Sequence, residues 1–416
     1  PLIGFLIAGF FLNALGYSNN ETLQAIANMG ITIMLFTIGL KLNIKDLLKR
    51  EILLGSIAHS CVWIALCSAA VFVLGLFVAT SWFNLTWYTA VLIGFAFSFS
   101  STVCVVKILD EAGEIKTRHG KLAIGILVMQ DIFAVLFLVT ATGKIPSPWA
   151  ALLILLIPAR PLLQRLLSGS GHGEMLPLTG FIFALGAYHL FELVGIKGDL
   201  GALIAGVLLA SQAKSTELSK SLMAFKDLFL IGFFLTIGLT ALPSLELVSI
   251  ALILCLLLPL KFLLFFGLFI SLRLRARTAY LTSLMMSNYS EFGLIVGAVA
   301  VTGGMLEAQW LVILALATAF SFIVTSVLYK HSHQYYCKHK NHIKQYEHPI
   351  PLHQDIYPSL GEAKVLVIGM GRVGKGAFKA IHAQLGQQVC GIDSDPDKIN
   401  KLAKLGKNAI VGDGED

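Results

Sequence analysis

The feature that most constrains the fold is a series of apolar runs, several of them near the roughly 20 residues with which an α-helix crosses a bilayer. Only 13% of the residues are charged and the mean hydropathy is +0.79, whereas a soluble protein carries about 25% charged residues. The chain is therefore predicted to be an all-α polytopic membrane protein in a lipid bilayer. Twelve runs can be read from the sequence: 2–14, 24–40, 51–79, 87–106, 122–141, 149–160, 177–194, 199–210, 227–242, 246–271, 279–301 and 308–329.

Basic residues are concentrated in every second connection between these runs. The intervening connections carry only Lys144 and Lys197. The positive-inside rule assigns the basic connections to the cytoplasm, which predicts a cytoplasmic C-terminus. Pro1 would then start on the cytoplasmic side, so we expect a further helix before it, with thirteen spans in all.

Net charge and cysteine usage argue against nucleic-acid binding and against disulfide or zinc cross-links. The formal charge of +7 is explained by the basic connections, so no nucleic-acid partner is expected. The six cysteines contain no Cys-x-x-Cys pair, and neither a disulfide framework nor a zinc site is predicted.

Two pairs of similar segments indicate an inverted repeat. "GFLIAG" at 4–9 resembles "GALIAG" at 201–206, and "FTIGL" at 36–40 resembles "LTIGL" at 235–239. By the orientation above, the two copies cross the membrane in opposite directions, as in many secondary transporters. The alternative is chance recurrence of short apolar strings, which the shared order and spacing disfavour.

Polar clusters interrupt two runs at equivalent places in the repeat. They are "SFSSTV" at 98–103 and "SNYSEFG" at 287–293. Unwound backbone at membrane depth is tolerated where it lines a cavity, so two broken helices are predicted to meet at a binding site. The alternative is that each hydroxyl bonds back to its own helix. The ion-pathway residues predicted here are Ser100, Ser101, Thr102 and Ser290.

Asp131 lies near the centre of the apolar run "AIGILVMQDIFAVLFLVTA", directly after Gln130. Burial penalises a charged carboxylate, so the group can hold a proton and release it when a cation arrives. Asp131 is predicted to bind H⁺ or a monovalent cation in turn, with the Gln130 carbonyl oxygen as a neutral ligand. The alternative is a structural pairing of Asp131 with another buried charge.

Two further ionisable groups lie within apolar runs. Lys261 follows Pro259 and is interpreted mainly as a structural residue that bonds freed carbonyls or pairs with a carboxylate. Glu291 follows the second polar cluster, where it can neutralise a helix terminus or pair with Lys261. Both are included in the predicted ion pathway.

The composition changes at Lys330, and three regions are predicted: a transmembrane domain over 1–329, a linker over 330–362 and a nucleotide-binding domain over 363–416. The linker contains six of the eleven histidines, but their spacings fit no standard metal site. From Lys364 a strand leads into Gly-x-Gly-x-x-Gly and a helix, and a second strand ends in an acid, nineteen residues after the last glycine. This is the Rossmann-type arrangement for a dinucleotide, and we expect the sequence to contain its first half. The residues predicted to bind nucleotide are Gly369, Gly371, Arg372, Val373, Gly374, Asp393 and Asp413.

The motifs "FSFSSTV", "QD", "GALIAGVLLA", "FKDLFLIGFFLTIGL", "SEFG" and "VIGMGRVG" together resemble the Kef-type proteins, bacterial potassium–proton antiporters of the cation–proton antiporter superfamily. The resemblance implies an inverted-repeat antiporter fold with two crossed broken helices, followed by the start of an RCK-type regulatory domain. It also implies a bacterial inner-membrane location, a homodimer formed through the membrane and RCK domains, and an ancillary regulatory subunit. Electrogenic relatives have a second acid in place of Gln130, so electroneutral exchange is expected. In glutathione-gated members the loop matching 211–226 is acidic, whereas here it carries three lysines and one glutamate; glutathione gating is therefore not expected.

Together with the resemblance, these observations predict a K⁺/H⁺ antiporter, not an enzyme, that works by alternating access and is regulated by AMP or NAD(H). A Na⁺/H⁺ antiporter is an alternative, because both cations take oxygen ligands. A ligand-gated cation channel is another, although no "TVGYG"-like filter is present. An oxidoreductase built on the glycine-rich domain would lack a soluble substrate domain.

Overall fold

A computed structural model describes the following residues: 2–41, 48–77, 85–115, 117–141, 147–156, 158–171, 173–195, 198–212, 214–239, 244–350, 352, 360, 362–393 and 395–412. They form a mostly helical chain with a small parallel sheet near the C-terminal end. This confirms the predicted fold class.

Most of the helices lie in the predicted apolar runs, whereas those at Arg160–Gly169 and Ser332–Lys344 lie largely outside them. The helices are α1 (Leu2–Ala14), α2 (Glu21–Lys41), α3 (Arg50–Phe77), α4 (Trp87–Ala96), α5 (Thr102–Ala112), α6 (Arg118–Ala141), α7 (Arg160–Gly169), α8 (Met175–Leu193), α9 (Gly198–Leu209), α10 (Ser215–Gly238), α11 (Leu245–Cys255), α12 (Leu258–Ser271), α13 (Ala276–Met286), α14 (Glu291–Thr302), α15 (Gln309–Lys330) and α16 (Ser332–Lys344).

Several of these helices are long and apolar enough to cross a membrane. Among the described residues, the helices with this length and apolar composition are Arg50–Leu76, Met175–Leu193, Leu245–Ser271 and Gln309–Lys330. The broken pair α13 and α14 also qualifies when the two are taken together. The run predicted over 149–160 differs, because it forms a 3₁₀-helix over Pro148–Leu156 instead of an α-helix. Pro148 and Pro158 bracket it, and proline supplies no backbone N–H to an α-helix that would run through.

The two halves of the repeat meet in helix crossings of the same kind. A Cβ atom placed on Gly9 of α1 would lie 2.9 Å from Gly238 Cα of α10, and one placed on Gly206 of α9 would lie 2.9 Å from Gly39 Cα of α2. Gly9 corresponds to Gly206 in the repeated sequence, and Gly39 corresponds to Gly238. Both crossings therefore join equivalent helices at equivalent glycines, as small residues allow in membrane helix packing.

The chain divides into two compact units. The first consists of Pro1–Thr102, Gly125–Lys261 and Ser287–Thr325, and the second of Val103–Ile124, Phe262–Met286 and Ser326–Asp416. The first unit contains the glycine crossings, residues 98–102 of the first polar cluster and the whole of the second cluster. The domain boundaries predicted at 329/330 and 362/363 remain predictions.

The sheet in the second unit has three parallel strands, β1 (Val365–Ile368), β2 (Val389–Asp393) and β3 (Ala409–Val411), in the order β1-β2-β3. Helix α17 (Arg372–Leu385) joins the first two strands and α18 (Pro396–Ala403) joins the last two. Parallel neighbours need such crossovers. Met370, Phe378, Val389, Ile399 and Leu402 form the buried core.

A carboxylate with several partners ties together four elements of the second unit. Glu114 follows α5; its Oε2 accepts a hydrogen bond from Tyr329 Oη at 2.6 Å and lies 3.0 Å from His119 Nε2. Its Oε1 lies 2.8 Å from His333 Nε2, and Arg277 Nη2 lies 3.3 Å from His333 Nδ1. Burial raises the pKa of Glu114, but the hydrogen bonds from His119, His333 and Tyr329 outweigh it and hold the pKa well below its ordinary value.

We expect Glu114→Gln to destabilise the protein at neutral pH by about 2 kcal/mol, the scale of hydrogen bonds to a charged group. Because the folded state lowers the pKa of Glu114, its stabilisation is complete above the unfolded pKa and is lost as pH falls through the folded value. Thermal unfolding in detergent should therefore show a deficit at pH 7 that shrinks below about pH 4. Glu111→Gln is the matched control, since the Glu111 side chain is 70% exposed. A deficit that stays constant down to pH 3 would contradict this role for Glu114.

Candidate functional site

The first break separates α4 from α5 and contains three fully buried serines, at 98, 100 and 101. Ser98 Oγ donates a hydrogen bond to Phe95 O in the preceding helix turn at 2.7 Å. For this serine, the alternative of a hydroxyl bonded back to its own helix is therefore observed. The backbone of the break is instead satisfied by another helix: Gln130 Oε1 accepts from Ser100 N at 2.9 Å, and Gln130 Nε2 donates to Ser98 O at 3.4 Å. The amide of Gln130 is thus bound to both a donor and an acceptor that the break sets free.

The second break, residues 287–290, separates α13 from α14 and binds directly to the first. Asn288 Oδ1 accepts from Ser101 N at 2.7 Å, and Glu291 Oε2 accepts from Ser101 Oγ at 2.7 Å. Gly293 packs against the carbonyl oxygen of Ala96 at the end of α4, where a side chain would not fit. The two broken helices therefore cross at their breaks.

Asp131 is 2% exposed and lies one residue after Gln130 in α6. Thr102 Oγ1 donates to its Oδ2 at 3.1 Å and approaches its Oδ1 at 3.4 Å. Thr102 is the first residue of α5, and the positive end of a helix dipole favours a negative charge beside it. Buried carboxylate and hydroxyl oxygens are the donor atoms that suit an alkali-metal cation.

Glu291 begins α14 and is 2% exposed. Its Oε2 accepts from Ser101, whereas its Oε1 has no hydrogen-bond partner among the residues that the structure describes. The side chain of Ser290 accepts a hydrogen bond from Phe292 N at 3.1 Å and caps α14. Ser290 thus orders the helix terminus, and Glu291 adds a carboxyl group next to the break.

Lys261 of α12 is fully buried, and the sequence offers two partners for it, main-chain carbonyls or the carboxylate of Glu291. In the structure its Nζ donates to the carbonyl oxygens of Phe97, Phe99 and Asn288, at 3.2, 2.9 and 2.8 Å. Its position next to both breaks agrees with a structural role. The bonded carbonyls belong to the breaks and not to the turn before Pro259.

Sequence reasoning missed Asn288, although its side chain and its main chain each contact a different partner at the crossing. It also missed the supports of the second break. Thr325 Oγ1 of α15 donates to Ser287 O at 2.7 Å, and Tyr289 N donates to Ser321 Oγ at 3.0 Å. The signal available in the sequence was the set of polar residues at 318, 321 and 325 within an otherwise apolar run. All three are buried in the structure.

The glycine-rich loop forms the predicted turn between β1 and α17. Gly369 has a φ of +85°, which glycine adopts without strain. Gly371 caps α17, and Arg372 and Val373 begin the helix and are exposed. A Cβ atom on Gly374 would collide with Gly369 O, whereas one on Gly371 would meet nothing within 4 Å. The loop therefore leaves open space at a helix N-terminus, as an approaching phosphate requires.

Asp393 ends β2 as predicted. Its Oδ2 accepts from Met370 N at 2.7 Å, its Oδ1 from Asp395 N at 2.8 Å, and Lys398 Nζ lies 3.0 Å from Oδ2. Partial burial raises the pKa of Asp393, but the hydrogen bonds from Asp395, Lys398 and Met370 lower it below its ordinary value. An ionised carboxylate at this position can accept from ribose hydroxyls. Asp413 lies outside the described residues.

Fold and site together define a class: a multi-pass secondary transporter with an inverted repeat, followed by a Rossmann-like domain. Residues 1–331 match the family model "Sodium/hydrogen exchanger, transmembrane", and the chain belongs to this family. Residues 365–416 match the TrkA-N domain. The family is one of transporters, which agrees with the expectation that the chain is not an enzyme.

Similar curated proteins confirm the resemblance to Kef-type antiporters. The chain is 28% identical to the glutathione-regulated potassium-efflux system protein KefC of Cronobacter sakazakii, over 99% of this chain and 68% of that protein. The KefC proteins of Salmonella schwarzengrund and Shigella flexneri are 28% and 27% identical over the same shares.

Proposed function

We propose that this protein exchanges K⁺ for H⁺ across the membrane by alternating access, with Asp131 as the group that binds each in turn. The supporting observation is the position of Asp131, buried beside the first turn of α5 and hydrogen-bonded by Thr102. A buried carboxylate favours its neutral form unless a cation compensates its charge. Binding of a proton and binding of a cation therefore exclude each other, which is sufficient for coupled exchange. The potassium-efflux relatives favour K⁺, with Na⁺ as the second candidate.

Gln130 supports an electroneutral cycle. Its amide is bound to the backbone of Ser98 and Ser100, and it carries no charge. Asp131 is then the side chain of the pair that can carry a negative charge, beside the first break. It binds either one proton or one monovalent cation, so the exchange is one for one. We include Glu291 in the ion pathway as a carboxyl group that contacts Ser101 next to this site.

The antiport proposal is tested by reconstituting the protein into proteoliposomes and adding KCl, NaCl or choline chloride outside. We expect K⁺ to drive proton movement that is unchanged when the membrane potential is clamped at zero. Single-channel currents, or cation flux indifferent to a proton gradient, would instead support a ligand-gated channel.

We further propose that adenine nucleotide, AMP or NAD(H), binds the C-terminal domain and regulates exchange. The glycine loop would face the phosphates and Asp393 the ribose, and the TrkA-N match supports this assignment. Gly374→Ala is expected to abolish nucleotide binding to the full chain, because the added Cβ meets Gly369 O. Gly376→Ala is the matched control, with nothing within 4 Å of its added Cβ. Equal binding by the two variants would contradict the assignment.

The remaining expectations are also proposals. They are a bacterial inner-membrane location with a cytoplasmic C-terminus, a homodimer formed through the membrane and RCK domains, and an ancillary regulatory subunit. Cross-linking of the purified protein tests the homodimer, and the proteins that co-purify with it test the ancillary subunit.

A further inference from the structure

The helix α16 follows the apolar helix α15 after a single residue and is basic along its whole length. Residues 330–346 contain four lysines and four histidines but no aspartate or glutamate. Lys338 and Lys340 are exposed, and neither has an ion-pair partner among the residues that the structure describes. A cluster of lysines directly after a membrane-spanning helix is attracted to a leaflet that contains anionic lipids.

Exposed side chains form one stripe that runs from the end of α15 into α16. Val327 and Leu328 are exposed near the end of α15, and His331, Tyr335 and Lys338 follow at steps of three or four residues. The stripe therefore changes from apolar to aromatic to basic along the chain. The same order is found across a membrane boundary, where aromatic rings lie between the hydrocarbon and the charged headgroups.

Contacts with two neighbouring helices hold the end of α16 at the depth of such a boundary. The ring centre of Tyr346 lies 6.3 Å from that of Phe266, and Glu347 Oε2 accepts a hydrogen bond at 3.1 Å from the backbone N–H of Ala276, the first residue of α13. Phe266 lies in the last turns of Leu245–Ser271, which is long and apolar enough to cross a membrane. The helix is thus fixed beside the end of a spanning segment, where the lipid headgroups lie.

We propose that the exposed face of α16, with Tyr335, Lys338 and Lys340, binds the headgroups of anionic phospholipids such as phosphatidylglycerol. The ammonium groups bind the phosphate oxygens, and the tyrosine ring lies where apolar and polar layers meet. An acidic protein surface would also suit the lysines, but it does not account for the apolar stripe of α15 that leads into them. Lipid binding of this kind requires membrane insertion and is independent of the antiport chemistry.

The test measures which lipids lie next to α16 in the full chain. Among the six cysteines, all of which the structure describes, Cys61 and Cys337 are exposed, and Cys337 lies in α16. A fluorophore on Cys337 in a Cys61→Ser background therefore reports on this helix, and a Cys337→Ser protein gives the background signal. The protein is placed in nanodiscs with phosphatidylglycerol or phosphatidylcholine that carries a nitroxide next to the headgroup. At equal mole fraction we expect phosphatidylglycerol to quench at least about threefold more strongly.

Two double variants separate the lysines of α16 from surface charge in general. Lys338→Gln combined with Lys340→Gln should bring the quenching ratio close to one, and both side chains are exposed, so the fold should persist. Lys401→Gln combined with Lys404→Gln is the matched control, because it removes two exposed lysines from the region of α18, which contains no aromatic residue. Its ratio should equal that of the parent. A rise in salt from about 0.05 M to about 0.5 M should lower the parent ratio through screening.

Equal quenching by the two lipids in the parent, or the same loss of preference in both double variants, overturns the proposal. Quenching by neither lipid indicates that a protein surface covers α16, and it also overturns the proposal. Excess inorganic phosphate should leave the ratio unchanged, whereas a ratio reduced to one would show that the helix binds free anions and not a lipid surface. Ion exchange is not measured in any of these experiments, so their failure is distinct from failure of the antiport proposal.

Discussion

Asp131→Asn is expected to abolish cation-driven proton movement in proteoliposomes while leaving the protein folded. Asparagine has nearly the same shape and retains an acceptor for Thr102 Oγ1, so the local packing should persist. It has no exchangeable proton and no charge to bind a cation in a buried site. We expect the exchange rate to fall at least about 100-fold, equivalent to about 2.7 kcal/mol.

Glu192→Gln is the matched control for this loss. Its carboxylate also lies in an apolar run, but the side chain is 49% exposed and lies 3.6 Å from His189 in the same helix. Exchange should be unchanged in this variant. Undiminished exchange by a folded Asp131→Asn protein would show that another group carries the proton.

Gly39→Leu is expected to prevent formation of the folded membrane domain. The crossing of α2 and α9 brings the two backbones together, so that an added Cβ atom would lie 2.9 Å from Gly206 Cα and Val207 N and closer still to Leu203 O. Backbone atoms of packed helices cannot give way as a flexible side chain can. Overpacking a core costs about 1–3 kcal/mol for extra methylenes and more where the backbone must separate, so loss of monodisperse protein in size-exclusion chromatography is expected.

The inverted repeat makes this expectation sharper. Gly206→Leu changes the opposite side of the same crossing, and Gly9→Leu changes its equivalent between α1 and α10, so both should cause a similar loss. Gly186→Leu is the control, because Gly186 lies in α8 with nothing within 4 Å of an added Cβ atom. Normal yield and normal unfolding temperature of Gly39→Leu would contradict the crossing.

The membrane fold was largely readable from the sequence, since apolar runs determine helices and glycine pairs mark close crossings. The breaks were also found within a few residues, because hydroxyl clusters are rare at membrane depth. The 3₁₀-helix at Pro148–Leu156 was not predicted, because apolar composition alone does not distinguish it from an α-helix. Its prolines were the only clue.

The residue types of the candidate site can be read from the sequence, whereas their contacts cannot. Asp131 and Gln130 are unusual in an apolar run and could be found by type. Asn288 was missed because its role depends on Ser101, 187 residues away. The carbonyl partners of Lys261 and the partners of Glu114 likewise come from distant segments, and no local pattern records such tertiary hydrogen bonds.

Mutual exclusion of proton and cation at Asp131 is tested most directly by the pH dependence of the apparent KM for K⁺. Initial exchange rates would be measured in proteoliposomes over a range of K⁺ concentrations at several pH values. Because a protonated carboxylate cannot bind the cation, the KM should rise about tenfold for each unit of pH on the acidic side, with little change in the maximal rate. A KM that stays constant while only the maximal rate changes would show that proton and cation bind separate groups.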